Sequence, residues 1–308
     1  MAAHTIRTRQ SASLHKLFIM QSASSRQSWR FIDLSVGTAY ENMATDEAIF
    51  ISCQQGMSPP TLRLYGWQPP AISLGYFQKL ESAVDMEECR RRGIDVVRRL
   101  TGGRAVLHHH ELTYAVIAPE NVPPFSPRVL DTYMTIGSCL LNALNGFGLN
   151  AHWVALRDKH RGGTALPRHE TASCFSAPSW YEIMVGGKKI CGSAQKRGSG
   201  VFLQHGSILI DHDPDVLAAL LNSRKGKEAF AREIDASTTS LNRHVKATVD
   251  VHDLGKTVLS SFRDTLGVTF NHGSLNDGES NLKDLLLREK YQTADWNCKG
   301  STATIQAA

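Results

Sequence analysis

Residues 180–211, WYEIMVGGKKICGSAQKRGSGVFLQHGSILID, contain three runs of strand-forming residues separated by glycines. The first two runs, WYEIMV and KKICGSA, flank Gly186 and Gly187, a pair that favours a two-residue hairpin turn. The third run, VFLQHGSILID, predicts a further strand. The stretch therefore predicts antiparallel strands joined by hairpins.

The predicted hairpin places Lys189 in a half-buried sheet layer, on the same face as Glu182 and Cys191. A lysine there costs desolvation free energy unless an anion or a hydrogen-bonding group meets its ammonium. A ligand carbonyl or carboxylate is one such partner. A salt bridge to Glu182, or a side chain that reaches solvent, is the structural alternative, and the pattern alone favours that alternative. The predicted register pairs Val185 with Lys188, Met184 with Lys189 and Ile183 with Ile190.

Helices and further strands surround this stretch. Helical spacing of apolar residues, with Gly or Pro at the ends, predicts helices over 42–56, 82–93, 131–148, 213–221 and 253–267. Short or alternating apolar runs predict strands over 61–67, 71–77, 94–99, 105–110 and 111–118. Because hairpin-linked strands and grouped helices replace a sustained strand–helix alternation, the sequence predicts an α+β fold.

The two ends of the chain differ from its middle. Residues 1–28 carry many serines and several basic residues but no acidic residue, a composition typical of a disordered extension. An acidic-poor transit peptide or a start codon assigned upstream of the true one has the same appearance. We expect one folded domain over 29–275 and a C-terminal helical segment with a tail over 276–308.

Composition excludes several classes of protein. The 308 residues are 42% hydrophobic and 20% charged, which is typical of a globular protein. No apolar run approaches the roughly 18 residues of a membrane helix, and no nucleic-acid-binding motif accompanies the net charge of +5. Six cysteines without a C-x-x-C pair favour a reducing compartment. We expect a cytoplasmic protein, monomeric, without a membrane or nucleic-acid partner.

Residues 98–110, RRLTGGRAVLHHH, join two arginines to a glycine turn and a strand. Gly102 and Gly103 lack the Cβ that would keep a ligand away from the backbone, so the motif suits a ligand-binding loop. A plain glycine turn with solvated arginines is the alternative. The three consecutive histidines do not predict a metal site, because strand neighbours point to opposite faces and no acidic or cysteine partner lies at ligand spacing.

Cys174 lies within TASCFSAPSWYE, residues 171–182, among small, polar and turn-forming residues. A thiol becomes a nucleophile at neutral pH when nearby positive charge lowers its pKa, and Lys189 follows in the hairpin. Cys191 is the competing candidate, but it lies inside an apolar strand, where a packed and inert cysteine is usual. The other cysteines that we expect to pack, inside helices, are Cys53, Cys89 and Cys139.

Four segments together resemble one enzyme superfamily. They are RRLTGGRAVLHHHELTY, SCFSAPSWYE, KKICGSAQKR and LQHGSILI, in this order within 29–211. They resemble the lipoate-protein ligases, octanoyltransferases and biotin-protein ligases. Within that superfamily the chain is most similar to the cysteine-dependent octanoyltransferases, which move octanoyl from acyl carrier protein to the H protein of the glycine cleavage system. The resemblance implies a catalytic domain over 29–275 with mixed, largely antiparallel sheets flanked by helices.

The resemblance also implies the site residues. Cys174 is the implied nucleophile, which forms a thioester with the octanoyl group, and Lys189 is the second catalytic residue. No metal, nucleotide or other cofactor is implied, because the incoming thioester already carries the activation. The residues implied in substrate binding are Arg98, Arg99, Thr101, Gly102, Gly103, His108, Gln204, His205 and Gly206.

The implied partners are octanoyl-acyl carrier protein as donor and the glycine cleavage H protein, or another lipoyl domain, as acceptor. Two alternatives stay open. The first is an ATP-dependent lipoate-protein ligase, in which Lys189 contacts an acyl-adenylate. Arg104 weighs against it, because those ligases usually have a third glycine there. The second is a non-catalytic homologue that binds an acyl group or a protein.

Overall fold

The structure, a computed structural model, describes residues 27–154 and 182–300 of the chain. Its strands are β1 (Ser28–Gly37), β2 (Thr61–Trp67), β3 (Ala71–Leu74), β4 (Asp95–Arg98), β5 (Val106–His108), β6 (Glu111–Pro119), β7 (His152–Val154), β8 (Glu182–Val185), β9 (Lys188–Gly198), β10 (Val201–Leu209) and β11 (Thr269–His272). Its helices are α1 (Ala39–Gln54), α2 (Leu80–Ala83), α3 (Met86–Arg92), α4 (Val129–Gly146), α5 (Pro214–Leu220), α6 (Lys227–Ser237), α7 (Val251–Leu266) and α8 (Asp277–Leu286). Within these two ranges no helix has the length and apolar character needed to cross a bilayer.

A large mixed sheet has the strand order β11-β1-β2-β6-β10-β9-β8-β7. Strand β1 runs parallel to β2 and β11, and the other neighbours in this sheet are antiparallel. A small sheet, β4-β3-β5, pairs β3 parallel to β4 and antiparallel to β5. The predicted α+β class with mixed, largely antiparallel sheets is confirmed.

Helices cover both faces of the large sheet. Side chains along β6 point alternately to the two faces. Leu112, Tyr114 and Val116 belong to the apolar cluster that includes residues of α4 and α7. Ala115 and Ile117 join the cluster that includes α1 and the C-terminal residues. Because both faces are covered, β6 is a nearly continuous apolar run instead of an alternating one. The large sheet is the middle layer of the molecule, and any side chain that leaves it enters a helical layer.

The predicted elements are largely confirmed, with four omissions. Strand β1 was not predicted, and the extension assigned to 1–28 ends inside it, because β1 begins at Ser28. It forms through parallel pairing with β2 and β11, contacts that are distant in sequence and leave little local signal. Strands β7 and β11 and helix α6 were also missed, whereas α8 lies in the C-terminal helical segment that the sequence predicts.

The hairpin register is correct near the turn and wrong beyond it. Met184 lies opposite Lys189 as predicted, but Ile183 lies opposite Cys191 instead of Ile190. One extra residue in β9 makes a β-bulge between these two pairs. As a result the adjacent Ile190 and Cys191 both belong to the same apolar cluster, which a regular strand would not allow.

The C-terminal segment is part of the main core. Glu279, which is fully buried, receives two hydrogen bonds of 2.6 Å from the guanidinium of Arg30. Trp296 Nε1 donates to the Arg98 carbonyl at 2.9 Å, and the Arg98 amide donates to Asn297 Oδ1 at 2.8 Å. These bonds connect the C-terminal segment to β1 and to β4, and the predicted division at residue 276 stays a prediction.

We predict that Glu279→Gln destabilises the fold by about 3–5 kcal/mol, because it leaves the Arg30 guanidinium buried without its counter-charge. Urea unfolding measures the change. The matched control is Asp295→Asn, which breaks an exposed pair with Lys299 and should change the stability little, because solvent screens the two charges. Equal losses in the two variants would contradict the argument.

Candidate functional site

A cavity of about 370 Å³, partly open to solvent, lies where α1 and the large and small sheets meet. We call it the main cavity. Its wall mixes aromatic, aliphatic and polar side chains. The lining residues are Met43, Tyr65, Trp67, Ser73, Arg99, Val106, His108, Thr113, Gly192, Ser193, Ala194, His205, Gly206 and Ser207.

His205 is held at both ring nitrogens. Its Nε2 lies 2.7 Å from Thr101 Oγ1, and its Nδ1 lies 3.2 Å from Asp46 Oδ2. Asp46 in turn accepts hydrogen bonds from Arg63 at 2.6 Å and from the Tyr65 hydroxyl at 2.8 Å. Burial lowers the pKa of His205, and the hydrogen bond to Asp46 only partly offsets this effect. The ring is therefore neutral at pH 7.

His108 has an analogous pair of partners. Its Nε2 lies 2.8 Å from Ser73 Oγ, and its Nδ1 lies 3.1 Å from Glu111 Oε1. The imidazole stacks on Trp67 with ring centroids 3.9 Å apart and 15° between the planes. Thr113 donates to Glu111 and accepts from Trp67 Nε1 at 2.7 Å. A second hydroxyl–imidazole–carboxylate chain therefore faces the same cavity.

Arg99 joins the two chains. Its Nε donates to Thr101 Oγ1 and its Nη1 to Ser73 Oγ, both at 3.1 Å. Because each hydroxyl accepts from Arg99, its own proton is left for the neighbouring imidazole. For His205, whose neutral form burial favours, this network suits the tautomer in which Nε2 accepts from Thr101 and Nδ1–H donates to Asp46. The remaining guanidinium donors bind the Ser73, Gly102 and Arg104 carbonyls at 2.7–2.8 Å.

Gly206 is the residue in the cavity wall that must be glycine. A Cβ there would lie 2.4 Å from the Gly192 carbonyl oxygen and 2.8 Å from Tyr114 Cε1. In the TGG loop the backbone conformation requires glycine at Gly103, which has a φ of +92°. A Cβ on Gly102 would meet nothing within 4 Å. The predicted close approach of the backbone to a ligand at Gly102 stays a prediction.

Four of the nine residues implied in substrate binding line the main cavity, and five do not: Thr101, Gly102 and Gly103 of the TGG loop, together with Arg98 and Gln204. The Arg98 guanidinium donates to six backbone carbonyls, at 2.6–3.2 Å, that belong to 75–78 and 296–298. Gln204 lies on the opposite face of β10 from His205, because neighbouring strand residues alternate. Its side chain contacts the Tyr114 hydroxyl at 3.3 Å, within the cluster that packs on α4. Arg98 connects the C-terminal turn to the fold, and Gln204 belongs to the other layer.

Lys189 forms the ion pair that the sequence left as an alternative. Its Nζ donates to Glu182 Oε1 at 2.9 Å, and its side chain is 2% exposed. The Lys189 carbonyl accepts from the Thr239 amide at 2.9 Å. Cys174 lies outside the described residues, so its approach to Lys189 stays a prediction.

The described cysteines pack as expected. Burial raises the pKa of Cys53 and of Cys89 to about 11, and that of Cys139 to about 12. Cys191 is 4% exposed within the apolar cluster. Thiols with such raised pKa values stay protonated at neutral pH and are poor nucleophiles.

Sequence reasoning missed the carboxylates behind the two histidines. Asp46 lies in α1, between Ala44 and Ala48, in a helix whose residues from Asn42 to Phe50 are all buried. An acidic residue inside such an Ala-rich helix was an available signal, because buried carboxylates need partners. Glu111 gave a weaker signal, since it follows the three histidines directly. No group of three His, Cys, Asp or Glu side chains in the described ranges is arranged to hold a metal ion.

Comparison with known proteins gives consistent matches. The family model described as the lipoyl protein ligase A/B catalytic domain matches residues 38–263. Octanoyltransferase LipM of Kyrpidia tusciae is 41% identical over 273 residues, which cover 88% of this chain and 98% of that protein. Octanoyltransferase LipM of Geobacillus kaustophilus is 39% identical over 277 residues, or 89% and 99%. A bipartite lipoate protein ligase from Thermoplasma acidophilum has the same fold, with a TM-score of 0.74 at 24% identity over 91% of this chain and 99% of its own.

We predict that Gly206→Ala lowers the melting temperature measurably, because the new methyl group overlaps the Gly192 carbonyl and the Tyr114 ring. Differential scanning calorimetry measures the change. Gly102→Ala is the matched control and should change the melting temperature little, since its Cβ meets open space. A larger drop in melting temperature for Gly102→Ala than for Gly206→Ala would contradict the close packing described around Gly206.

Proposed function

The chain belongs to the family of lipoyl protein ligase A/B catalytic domains, and we propose that it is an octanoyltransferase that works through a thioester on Cys174. Octanoyltransferases of this family are 39–41% identical to it over nearly their whole length. Octanoyl transfer in lipoate biosynthesis, an acyltransferase reaction, is therefore its activity. We propose three further points: the reaction passes through a cysteine thioester, and it uses the donor and the acceptor named below. The observation that carries this route is the main cavity, which suits a short acyl tail.

The main cavity suits an acyl tail because the two histidines in its wall already have hydrogen-bond partners within the protein. His108 and His205 are hydrogen-bonded on both nitrogens, so a tail that displaces water leaves neither ring unpaired. Met43, Trp67 and Val106 supply apolar wall. Each buried methylene contributes about 0.8 kcal/mol to binding. A free carboxylate suits the main cavity less well, because all five N–H groups of the Arg99 guanidinium already bind oxygens of the protein.

The proposed reaction has two steps. The Cys174 thiolate attacks the carbonyl carbon of the octanoyl thioester, a new C–S bond forms, and the donor leaves as a thiol after taking a proton. A lysine amine of the acceptor then attacks the enzyme thioester. A C–N bond forms, the bond to Cys174 breaks, and the amine proton returns to the thiolate. No nucleotide enters, because the thioester supplies the activation.

Lys189 is the proposed stabiliser of the carbonyl oxygen in both steps. Its ammonium is buried, and Glu182 orients it at 2.9 Å. A fixed cation in a site that excludes water stabilises developing negative charge without reorganising. Glu182 compensates the charge in the resting protein. This pair therefore combines the catalytic role implied for Lys189 with the structural role.

The donor and acceptor proposed here are octanoyl-acyl carrier protein and the lysine of a lipoyl domain, in particular the glycine cleavage H protein. Both fit an enzyme that takes a thioester and yields an amide. We propose a cytoplasmic site for the reaction, where a catalytic thiol stays reduced. Octanoyltransferase relatives do not favour the ATP-dependent ligase or the non-catalytic alternative.

We predict that octanoyl-carrier protein adds one octanoyl group, removable by hydroxylamine, to the wild-type protein and to Cys191→Ser, but none to Cys174→Ser. Intact-mass spectrometry after mixing measures the adduct. Cys191→Ser is the matched control, since Cys191 is a buried packing residue. An adduct on Cys174→Ser, or pyrophosphate release from ATP and lipoate, would overturn the proposal.

We predict that Lys189→Met abolishes transfer and also destabilises the protein by about 3–5 kcal/mol, because Glu182 loses its buried partner. The double variant Lys189→Met with Glu182→Gln removes both charges and should recover most of the stability without recovering transfer. Urea unfolding and single-turnover transfer separate the two effects. Transfer at the wild-type rate in the double variant would leave the pair with a structural role alone.

A further inference from the structure

A second cavity of about 490 Å³ borders the main cavity. Leu209, in its wall, follows Ser207 of the main cavity by two positions on β10, so the two residues share a face and lie roughly 7 Å apart. Leu209 also packs against Val106, which lines the main cavity. The two cavities are therefore separated by one pair of apolar side chains. The residues that line the second cavity are Leu107, His109, His110, Leu209, Asp211, His212, Asp213, Val216, Leu217 and Thr238.

The second cavity contains polar atoms without a partner. The Thr238 side chain is 1% exposed, and its Oγ1 has no hydrogen-bond partner among the described residues. Both ring nitrogens of His212 are likewise unpartnered within that part of the chain. Buried polar groups in native proteins are normally paired. These atoms therefore indicate a ligand that supplies hydrogen bonds.

The chemistry of the wall selects the kind of ligand. Burial, together with the nearby charge of Arg243, lowers the pKa of His212 to about 4, so its ring is neutral and offers one donor and one acceptor. An amide group carries the same complement, one N–H and one C=O. Asp211 and Asp213 also line the cavity. Two carboxylates in the wall disfavour a polyphosphate such as ATP.

The position of the second cavity relates it to the proposed chemistry. Thr238 forms a β-bridge with Lys189, and the adjacent Thr239 amide donates to the Lys189 carbonyl at 2.9 Å. A ligand in the second cavity therefore lies beside the backbone of the residue proposed to stabilise the thioester. An acyl tail in the main cavity lies on the other side of Val106 and Leu209.

We propose that the second cavity binds the amide-bearing, pantetheine-type arm through which the donor presents its thioester. Thr238 and His212 hydrogen-bond the amide groups of the arm, and the Val106–Leu209 pair separates the arm from the acyl tail. This inference rests on the proposed function. It adds a donor-binding site to the acyl-binding site.

The test measures binding of S-octyl pantetheine, a thioether that cannot react, by isothermal titration calorimetry. Thr238→Val and His212→Leu should each raise its Kd about three- to tenfold, the loss of one hydrogen bond between neutral groups. Thr239→Val is the matched control and should change the Kd less than twofold, because its hydroxyl binds His244 Nε2 at 2.7 Å instead of facing this cavity. Octyl ethyl thioether, which has no amide, should bind all four proteins equally.

The outcomes separate this inference from the proposed function, because binding of a thioether requires no turnover. An unchanged Kd for S-octyl pantetheine in both cavity variants would overturn the donor-arm site, whether or not octanoyl transfer occurs. Equal weakening of both thioethers would also overturn it, since the variants would then act on the tail. Binding of ATP that is weakened by Thr238→Val would assign the cavity to a nucleotide. Should Thr238→Val fail to fold, His212→Leu carries the test, because His212 is only half-buried.

Discussion

The buried guanidinium of Arg99 is the interaction on which the site depends. Its five N–H groups contact two hydroxyls and three backbone carbonyls. Through Ser73 and Thr101 it connects the two histidine chains, and through the Gly102 and Arg104 carbonyls it holds the TGG loop. A lysine could not replace it, because one ammonium cannot span this planar set of acceptors.

This network explains how a polar wall accommodates an apolar ligand. Each imidazole has a carboxylate, Asp46 or Glu111, on the side away from its hydroxyl. Asp46 is compensated by the Arg63 guanidinium and also accepts from Tyr65, while Glu111 accepts from the Thr113 hydroxyl. Lys189 is likewise buried beside a carboxylate, that of Glu182, but it carries a full positive charge. A cation kept in place by a buried carboxylate suits transient stabilisation of an oxyanion.

The sequence could predict elements whose signals are local. The Gly186-Gly187 turn and its first two cross-strand pairs are confirmed, because turn chemistry acts over a few residues. The bulge in β9 could not be predicted, since the demand that Ile190 and Cys191 enter one cluster comes from helices elsewhere in the chain. Strand β1 was missed for the same reason, as its parallel partners are distant in sequence.

The sequence by itself determined the fold class, the family resemblance and the segments that carry polar residues at strand ends and turns. Only the tertiary structure decided which of these residues share a cavity. Arg98 and Arg99 are neighbours with the same side chain, yet one binds the C-terminal turn and the other joins the two histidine chains. Gln204 and His205 likewise separate to opposite faces of β10. The physical reason is that alternation along a strand is local, whereas the partner on each face comes from distant parts of the chain.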